Sequence, residues 1–296
     1  MKKILVIGST VADVIINVDK LPAMGVSAHA LSQKINLGGC AYNVSDVIRN
    51  FNLPYRLFSP VGTGIYGDFL KKELAKIGVE PIISDEDNGC CYCFVDKSGE
   101  RTILSNHGAE YWIKKEWLES VDLSEIQSIY VCGLEIEEKT GPDIVEYLEN
   151  HKQVPFFFAP GPRIVKVESE LMDRMLNLHP ILHLNDKEIA AYTGVSDVEQ
   201  AVKKMYEKTG NLIIVTMGAD GACWYDGKTF EKAAPVKCEN IVDTIGAGDS
   251  HIGTIMACLY RGDDIRTAVE TANKVASAVV GTAGAVLPRE KYRELI

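Results

Sequence analysis

No hydrophobic run in this sequence is long enough to cross a bilayer as a helix. A membrane helix needs about 18 or more apolar residues without charge, and the apolar stretches here, such as Ile4–Ile7 before Gly8, last only a strand's length. A secretory leader is not expected either, because the basic start Met1–Lys3 is followed by too short an apolar core. The expected location is the cytoplasm. A basic excess is also lacking. With 31 Lys and Arg against 41 Asp and Glu, the formal charge is −10, the wrong sign for a nucleic-acid coat or a polybasic membrane binder. Cysteines at zinc-ligand spacing are missing: Cys90, Cys91 and Cys93 crowd together, and no second pair matches them. They suit a strand that uses small apolar thiols. The eight scattered cysteines read as free thiols in a reducing compartment. There is no internal repeat and no low-complexity tract. Gly8-Ser9-Thr10-Val11-Ala12-Asp13 lacks the G-x-G-x-x-G spacing of a dinucleotide oxidoreductase.

What is present is ordinary globular composition, 46% hydrophobic and 24% charged over 296 residues. At roughly 150 residues per domain, that length holds one or two domains. The dominant rhythm is strand then helix. Strand-length apolar runs occur at Lys3–Ile7, Ser128–Cys132, Pro155–Ala159, Ile181–Leu184 and Leu212–Thr216. Phe69–Ile77, Gly141–Leu148 and Val198–Lys208 place apolar residues at three- and four-residue steps, as helices with one buried face do. Alternating strands and helices predict βαβ units and a parallel sheet. Helices on both faces of such a sheet explain strands that are apolar throughout. After Thr216, Asp226-Gly227 marks a hairpin of Ala222–Tyr225 and Thr229–Ala233. Helices over Ala247–Tyr260 and Ile265–Val280 follow, the first ended by Gly262.

Two segments break this rhythm. The first holds short β-like stretches, Val14–Val18 and His29–Ile35, split by Pro22 and Gly25. The second reads as a hairpin of Cys90–Val95 and Arg101–Leu104 with its turn at Lys97-Ser98-Gly99. Each excursion returns to the main body, so no linear linker separates two domains. The expectation is one domain over residues 1–296 carrying a small β appendage from about 12–37 and 88–108.

Four motifs carry chemistry. Asp243-Thr244-Ile245-Gly246-Ala247-Gly248-Asp249 stands just before an amphipathic helix. Its small residues let backbone approach a ligand, and the first helical N–H groups, at the positive end of the dipole, form an anion hole. An acid there repels phosphate, but it makes sense as the base that takes a proton from an attacking hydroxyl. Thr216-Met217-Gly218-Ala219-Asp220-Gly221 follows an apolar strand, at the end where open α/β sheets bind ligands; a plain glycine turn would look the same. Asn185 and Glu188, three apart after Ile181–Leu184, suit a hydrated Mg²⁺, though taken alone the pair reads first as a helix cap with early acids. Gly38-Gly39-Cys40-Ala41-Tyr42-Asn43 precedes a helix over Val44–Phe51 and lets backbone and the Asn43 amide meet a small ligand. Asp13 offers a carboxylate to hydroxyls, or serves a turn.

In this order along the chain, the motifs resemble the ribokinase-like carbohydrate kinase family, the phosphofructokinase-B type. The resemblance implies a three-layer α/β/α ribokinase-like fold with a mostly parallel central sheet and a small β-sheet lid. It implies ATP-dependent phosphorylation of a primary hydroxyl on a sugar or sugar-like compound. Asp249 would be the base, and the amides of Gly246, Ala247 and Gly248 the anion hole. Asn185 and Glu188 would organise Mg²⁺ and its waters. Asn185, Thr216, Gly218, Gly221 and Asn273 would line ATP, and Gly284-Ala285 would close its pocket. Asp13, Gly39 and Asn43 would hold the sugar. The resemblance also implies a monovalent cation such as K⁺ near Asp243 and a homodimer through the lid.

This sequence departs from ribokinases proper, which carry Lys at Cys40 and Gly at Ala41. In Ala159-Pro160-Gly161-Pro162-Arg163, Ala159 replaces a family Asp. The differences at Cys40 and Ala41 count against ribose. A phosphorylated sugar would need a basic clamp; Arg101 and Arg163 are the candidates, or else solvated surface charges, and an unphosphorylated substrate is expected. The alternatives are a nucleoside kinase of pseudouridine or adenosine type, its base between Tyr42, His107 and the Cys90–Phe94 strand, and a non-catalytic sugar sensor. No nucleic-acid or membrane partner is expected.

Overall fold

Ile4–Ile7 are fully buried, and their alternation divides them between two cores. Ile4 and Val6 pack with the helices Cys40–Asn50, Ala247–Arg261 and Ile265–Val280. Leu5 and Ile7 pack with Gly141–Asn150, Ser169–Leu176 and Val198–Thr209. A strand whose two faces are both apolar must lie in a sheet covered on both sides, so the architecture is α/β/α. The structure, a computed structural model, describes residues 1–97 and 101–296.

Fourteen strands occur among the described residues. In chain order they are β1 (Lys3–Ile7), β2 (Val11–Val18), β3 (Ala30–Gly38), β4 (Tyr55–Phe58), β5 (Pro60–Thr63), β6 (Ile82–Asp87), β7 (Cys90–Val95), β8 (Arg101–Asn106), β9 (Ile126–Cys132), β10 (Phe156–Ala159), β11 (Ile181–Asn185), β12 (Ile213–Thr216), β13 (Ala222–Tyr225) and β14 (Phe230–Ala233). The central sheet has the order β14-β13-β12-β11-β10-β9-β1-β4. It is parallel from β4 to β12, with the expected antiparallel hairpin at one edge. The chain leaves β1 for β4 on one side and returns for β9 on the other. Such a reversal of strand order opens a crevice beyond the carboxyl ends.

β3-β2-β7-β8 form a separate lid sheet. Its register sorts the side chains by face. Asn36, Asp13, Cys91 and Ser105 stand in one row, and the parallel row Ser32, Asn17, Val95, Arg101 shares their face. Ile35, Val14, Tyr92 and Leu104 form a row on the opposite face.

The helix predicted from Val44 starts at Cys40, so Asn43 lies inside its first turn rather than before it. The helix predicted over Phe69–Ile77 spans Gly64–Lys76. β4, β5 and β6 were not legible: β4 is a four-residue edge strand interrupted by Arg56, and β5 pairs only with β6. Of the predicted hairpin turn, Ser98 and Gly99 lie outside the described residues.

Candidate active site

Helix Ala247–Arg261 begins on Gly246 without a side-chain cap. The amides of Gly246, Gly248 and Asp249 have no hydrogen-bond partner among the described residues; Ala247 N–H makes a long 3.4 Å turn bond to the Thr244 carbonyl. The open anion hole therefore comprises Gly246, Gly248 and Asp249, with Ala247 partly engaged. Asp243 shapes this loop. Its Oδ1 accepts from Ile245 N–H at 2.9 Å and from Arg101 at 2.5 Å, and its Oδ2 accepts from Gly284 N–H at 3.1 Å. Arg101 thus ties the lid to the loop as an ion pair with Asp243 instead of standing open over a ligand.

Asp249, the third residue of its helix, accepts a 2.8 Å hydrogen bond from Asn43 Nδ2. Asn43 is buried, and its Oδ1 has no partner among the described residues. The glycine pair has a steric reason. Gly39 is left-handed at φ 97°, with Ser9 O 2.5 Å from where a β-carbon would stand. At Gly38 a β-carbon would lie 1.9 Å from Asp13 Oδ2. Only glycines admit the Asp13 carboxylate and the turn into Asn43 together. Asp13, Gly39, Asn43 and Asp249 are thereby gathered from the lid and two helix starts.

Burial pushes Asp249 up to about 6; the hydrogen bonds from Asn43 and Cys40 oppose this, and the Glu135 carboxylate adds to it. Burial also pushes Asp13 up to about 7, with the Asp249 and Asp243 carboxylates contributing. Cys40 forms a hydrogen bond with Cys132 that lowers its thiol, but burial and the Asp249 and Glu135 carboxylates leave it raised overall. It is not an activated thiol.

Asn185 and Glu188 realise the helix-cap reading. Asn185 Oδ1 accepts from Glu188 N–H at 2.8 Å, and Glu188 Oε2 accepts from Asn185 N–H at 2.9 Å, a full capping box. The box still leaves Glu188 Oε1 outside the cap, and both residues line a cavity of about 310 Å³ with Cys40, Gly246, Gly248 and Asp249. A second cavity, of about 500 Å³, is lined by Thr216, Gly218, Gly221 and Asn273. Thr216 and Gly248 belong to both walls, so the two cavities adjoin at the start of the Asp249 helix.

Sequence reasoning missed Glu135. It is fully buried in the short helix Gly133–Glu137. Its Oε1 accepts from Ser9 N–H at 2.7 Å, and its Oε2 has no partner among the described residues. The available signal was an acid three residues past the apolar strand Ser128–Cys132. Arg163 is paired with Glu137 at 2.7 Å. Tyr42 is buried in the core near Asp46 and Arg49 and lines neither cavity. His107 is held by Glu138 at 2.5 Å and stacks on Tyr111.

Comparison with known proteins identifies the family and the fold. Residues 1–291 match the pfkB family carbohydrate kinase. The uncharacterized sugar kinase YegV of Escherichia coli strain K12 is 32% identical over 289 residues, 96% of this chain and 90% of that protein. The deoxyribokinase of Salmonella typhi is 26% identical over 307 aligned residues, covering 99% of this chain and 98% of that one. Ribokinase from Thermotoga maritima superposes with a TM-score of 0.84 at 24% identity, covering 100% and 99% of the two chains. Arabidopsis thaliana ribokinase complexed with ribose and ATP does so at 0.82 and 19%, covering 99% and 98%. The chain belongs to the pfkB family of carbohydrate kinases.

Proposed function

We propose that this protein transfers the γ-phosphoryl group of ATP to a primary hydroxyl of an unphosphorylated sugar or sugar-like compound. The observation that carries the reading is the Asp249 carboxylate, held by Asn43 at the mouth of a helix whose leading amides await an anion. In this arrangement Asp249 orients the hydroxyl and takes its proton as the oxygen attacks phosphorus. The amides of Gly246 and Gly248 stabilise charge on the transferring group. Asp13 and Asn43 accept and donate to the other hydroxyls. Thr216, Gly218 and Gly221 line the adjoining cavity as the path of the triphosphate.

Glu188 and Asn185 suit Mg²⁺ reached through water, since an acceptor oxygen remains outside their cap and faces the cavity. When bound, the ion would neutralise triphosphate charge. Asp243 Oδ1 accepts from both Arg101 and Ile245, and Oδ2 accepts only from Gly284, so this carboxylate has one remaining lone pair, on Oδ2, to offer a monovalent cation.

An unphosphorylated substrate is favoured because Arg101 and Arg163 are each engaged by a carboxylate. A sugar is favoured over a nucleoside because Tyr42 does not border the site. Eight free thiols suit the cytoplasm, and no described helix is long and apolar enough to cross a membrane. The exposed apolar residues of the lid support a homodimer.

A coupled ADP-release assay over a panel of sugars, sugar phosphates and nucleosides tests the reading. Turnover on neutral sugars that Asp249→Asn abolishes is the expected result. Sugar-independent ADP release, or turnover only on nucleosides or phosphorylated sugars, would refute it.

A further inference from the structure

Asn273 and His251 stand in the wall of the larger cavity, yet their hydrogen-bonding groups are turned toward each other. Asn273 Nδ2 donates to the Ala234 carbonyl at 3.0 Å, which fixes the amide orientation. Its Oδ1 then accepts from His251 Nε2 at 3.1 Å, so that nitrogen carries the proton. His251 Nδ1 is left as the acceptor for His183 Nε2 at 2.9 Å. The neutral imidazole has one donor and one acceptor, so His251 is saturated. Asn273 is pinned at both ends and only 8% exposed, so its amide plane cannot turn to follow a base edge.

The rest of the wall reads a base poorly. Pro235, Val236, Ile241, Ala276 and Val280 supply an apolar slot. Ser277 offers a hydroxyl, which donates to a carbonyl as readily as it accepts from an amino group. Lys237, exposed at the rim, is a donor only and gives adenine's amino group no advantage. A volume of about 500 Å³ is in the range that buries a purine with its ribose.

We infer that this enzyme selects its phosphoryl donor by the triphosphate and by the shape of the slot, not by the edge of the base, so that guanine and hypoxanthine nucleotides replace adenine nucleotides. The inference rests on the kinase reading for the identity of the cavity. A site built to hydrogen-bond one edge discriminates by about 10⁴-fold or more, whereas an apolar slot reaches only about 10²-fold.

The test is isothermal titration of the full chain with ADP, GDP and IDP in the presence of Mg²⁺, beside turnover with ATP, GTP and ITP. Dissociation constants within about a hundredfold of one another are expected; a preference for ADP beyond that overturns the inference. Flat binding without turnover on any acceptor would leave the inference standing while the kinase reading falls. Turnover with ATP and a steep ADP preference would do the reverse, and failure to bind all three would overturn both. Asn273→Ala and His251→Phe should weaken the three diphosphates alike. A loss confined to ADP in either variant would show that the pinned pair reads adenine after all.

Discussion

Asn43 Nδ2 donates to Asp249 Oδ2 at 2.8 Å, joining the first turns of two helices whose residues lie 206 positions apart. The bond favours the ionised carboxylate and opposes the burial that carries Asp249 up to about 6. A base must be ionised to act, and kcat/KM reports the free enzyme's base, so kcat/KM should fall on the acid side of pH 6. Asn43→Ala removes the opposing bond, and the acid limb of kcat/KM should move to higher pH. A profile of kcat/KM from pH 5 to 9 checks this; a limb that stays in place would show that Asn43 does not tune the base.

Asp249→Asn should lower kcat by about two to four orders of magnitude, the usual worth of a positioned base, while the fold survives. Retention of more than a tenth of wild-type turnover would rule out the assigned role. The stability effect has a definite sign. A carboxyl raised from 3.8 to about 6 on folding contributes stability that is fully present below 3.8 and lost as pH rises through 6. The amide carries no such penalty. The melting temperature of the variant should therefore exceed that of the parent at pH 8, and the gap should close toward pH 4. Calorimetric scans at the two pH values decide it.

Gly38→Ala places a β-carbon 1.9 Å from Asp13 Oδ2, so the carboxylate must leave its position. If Asp13 holds the sugar as proposed, KM for the sugar should rise at least tenfold while KM for ATP changes little. Equal rises in both constants, in a variant that still melts cooperatively, would place Asp13 outside the sugar site.

The fold was legible because the inner strands of the central sheet are apolar on both faces, as Ile4–Ile7 illustrate, and because the Asn185 and Thr216 motifs stand at the ends of such strands. Asp249 stood out in the sequence because an acid at an anion hole conflicts with electrostatics unless chemistry needs it. Local patterns could not show how long-range partners would engage the side chains. Arg101 looks like an open clamp in sequence, but its partner, Asp243, is 142 positions away. Asn273 looks like a base contact until its bonds to His251 and Ala234 are seen. Glu135 escaped notice because a single acid after a strand carries no pattern, and only the packing of Ser9 against it reveals its position.

Leu104 and Ile35 lie in one cross-strand row of the lid, on the face opposite Asp13, with 61% and 37% of their surfaces exposed; Leu31 is 59% exposed. Val14, between them in the row, is buried in the core, so the exposed apolar surface lies at the two edge strands; apolar side chains exposed there mark an interaction surface, and a second copy of the same lid would cover them by two-fold pairing. Light scattering at micromolar concentration should give twice the 32.5 kDa chain mass. Leu104→Glu buries a charge in that contact, which is unfavourable without a partner, so the variant should run as a monomer. Because the same sheet carries Asp13 and Arg101, loosening the lid should also raise KM for the sugar. A parent protein that scatters as a monomer would remove the lid from any role in assembly.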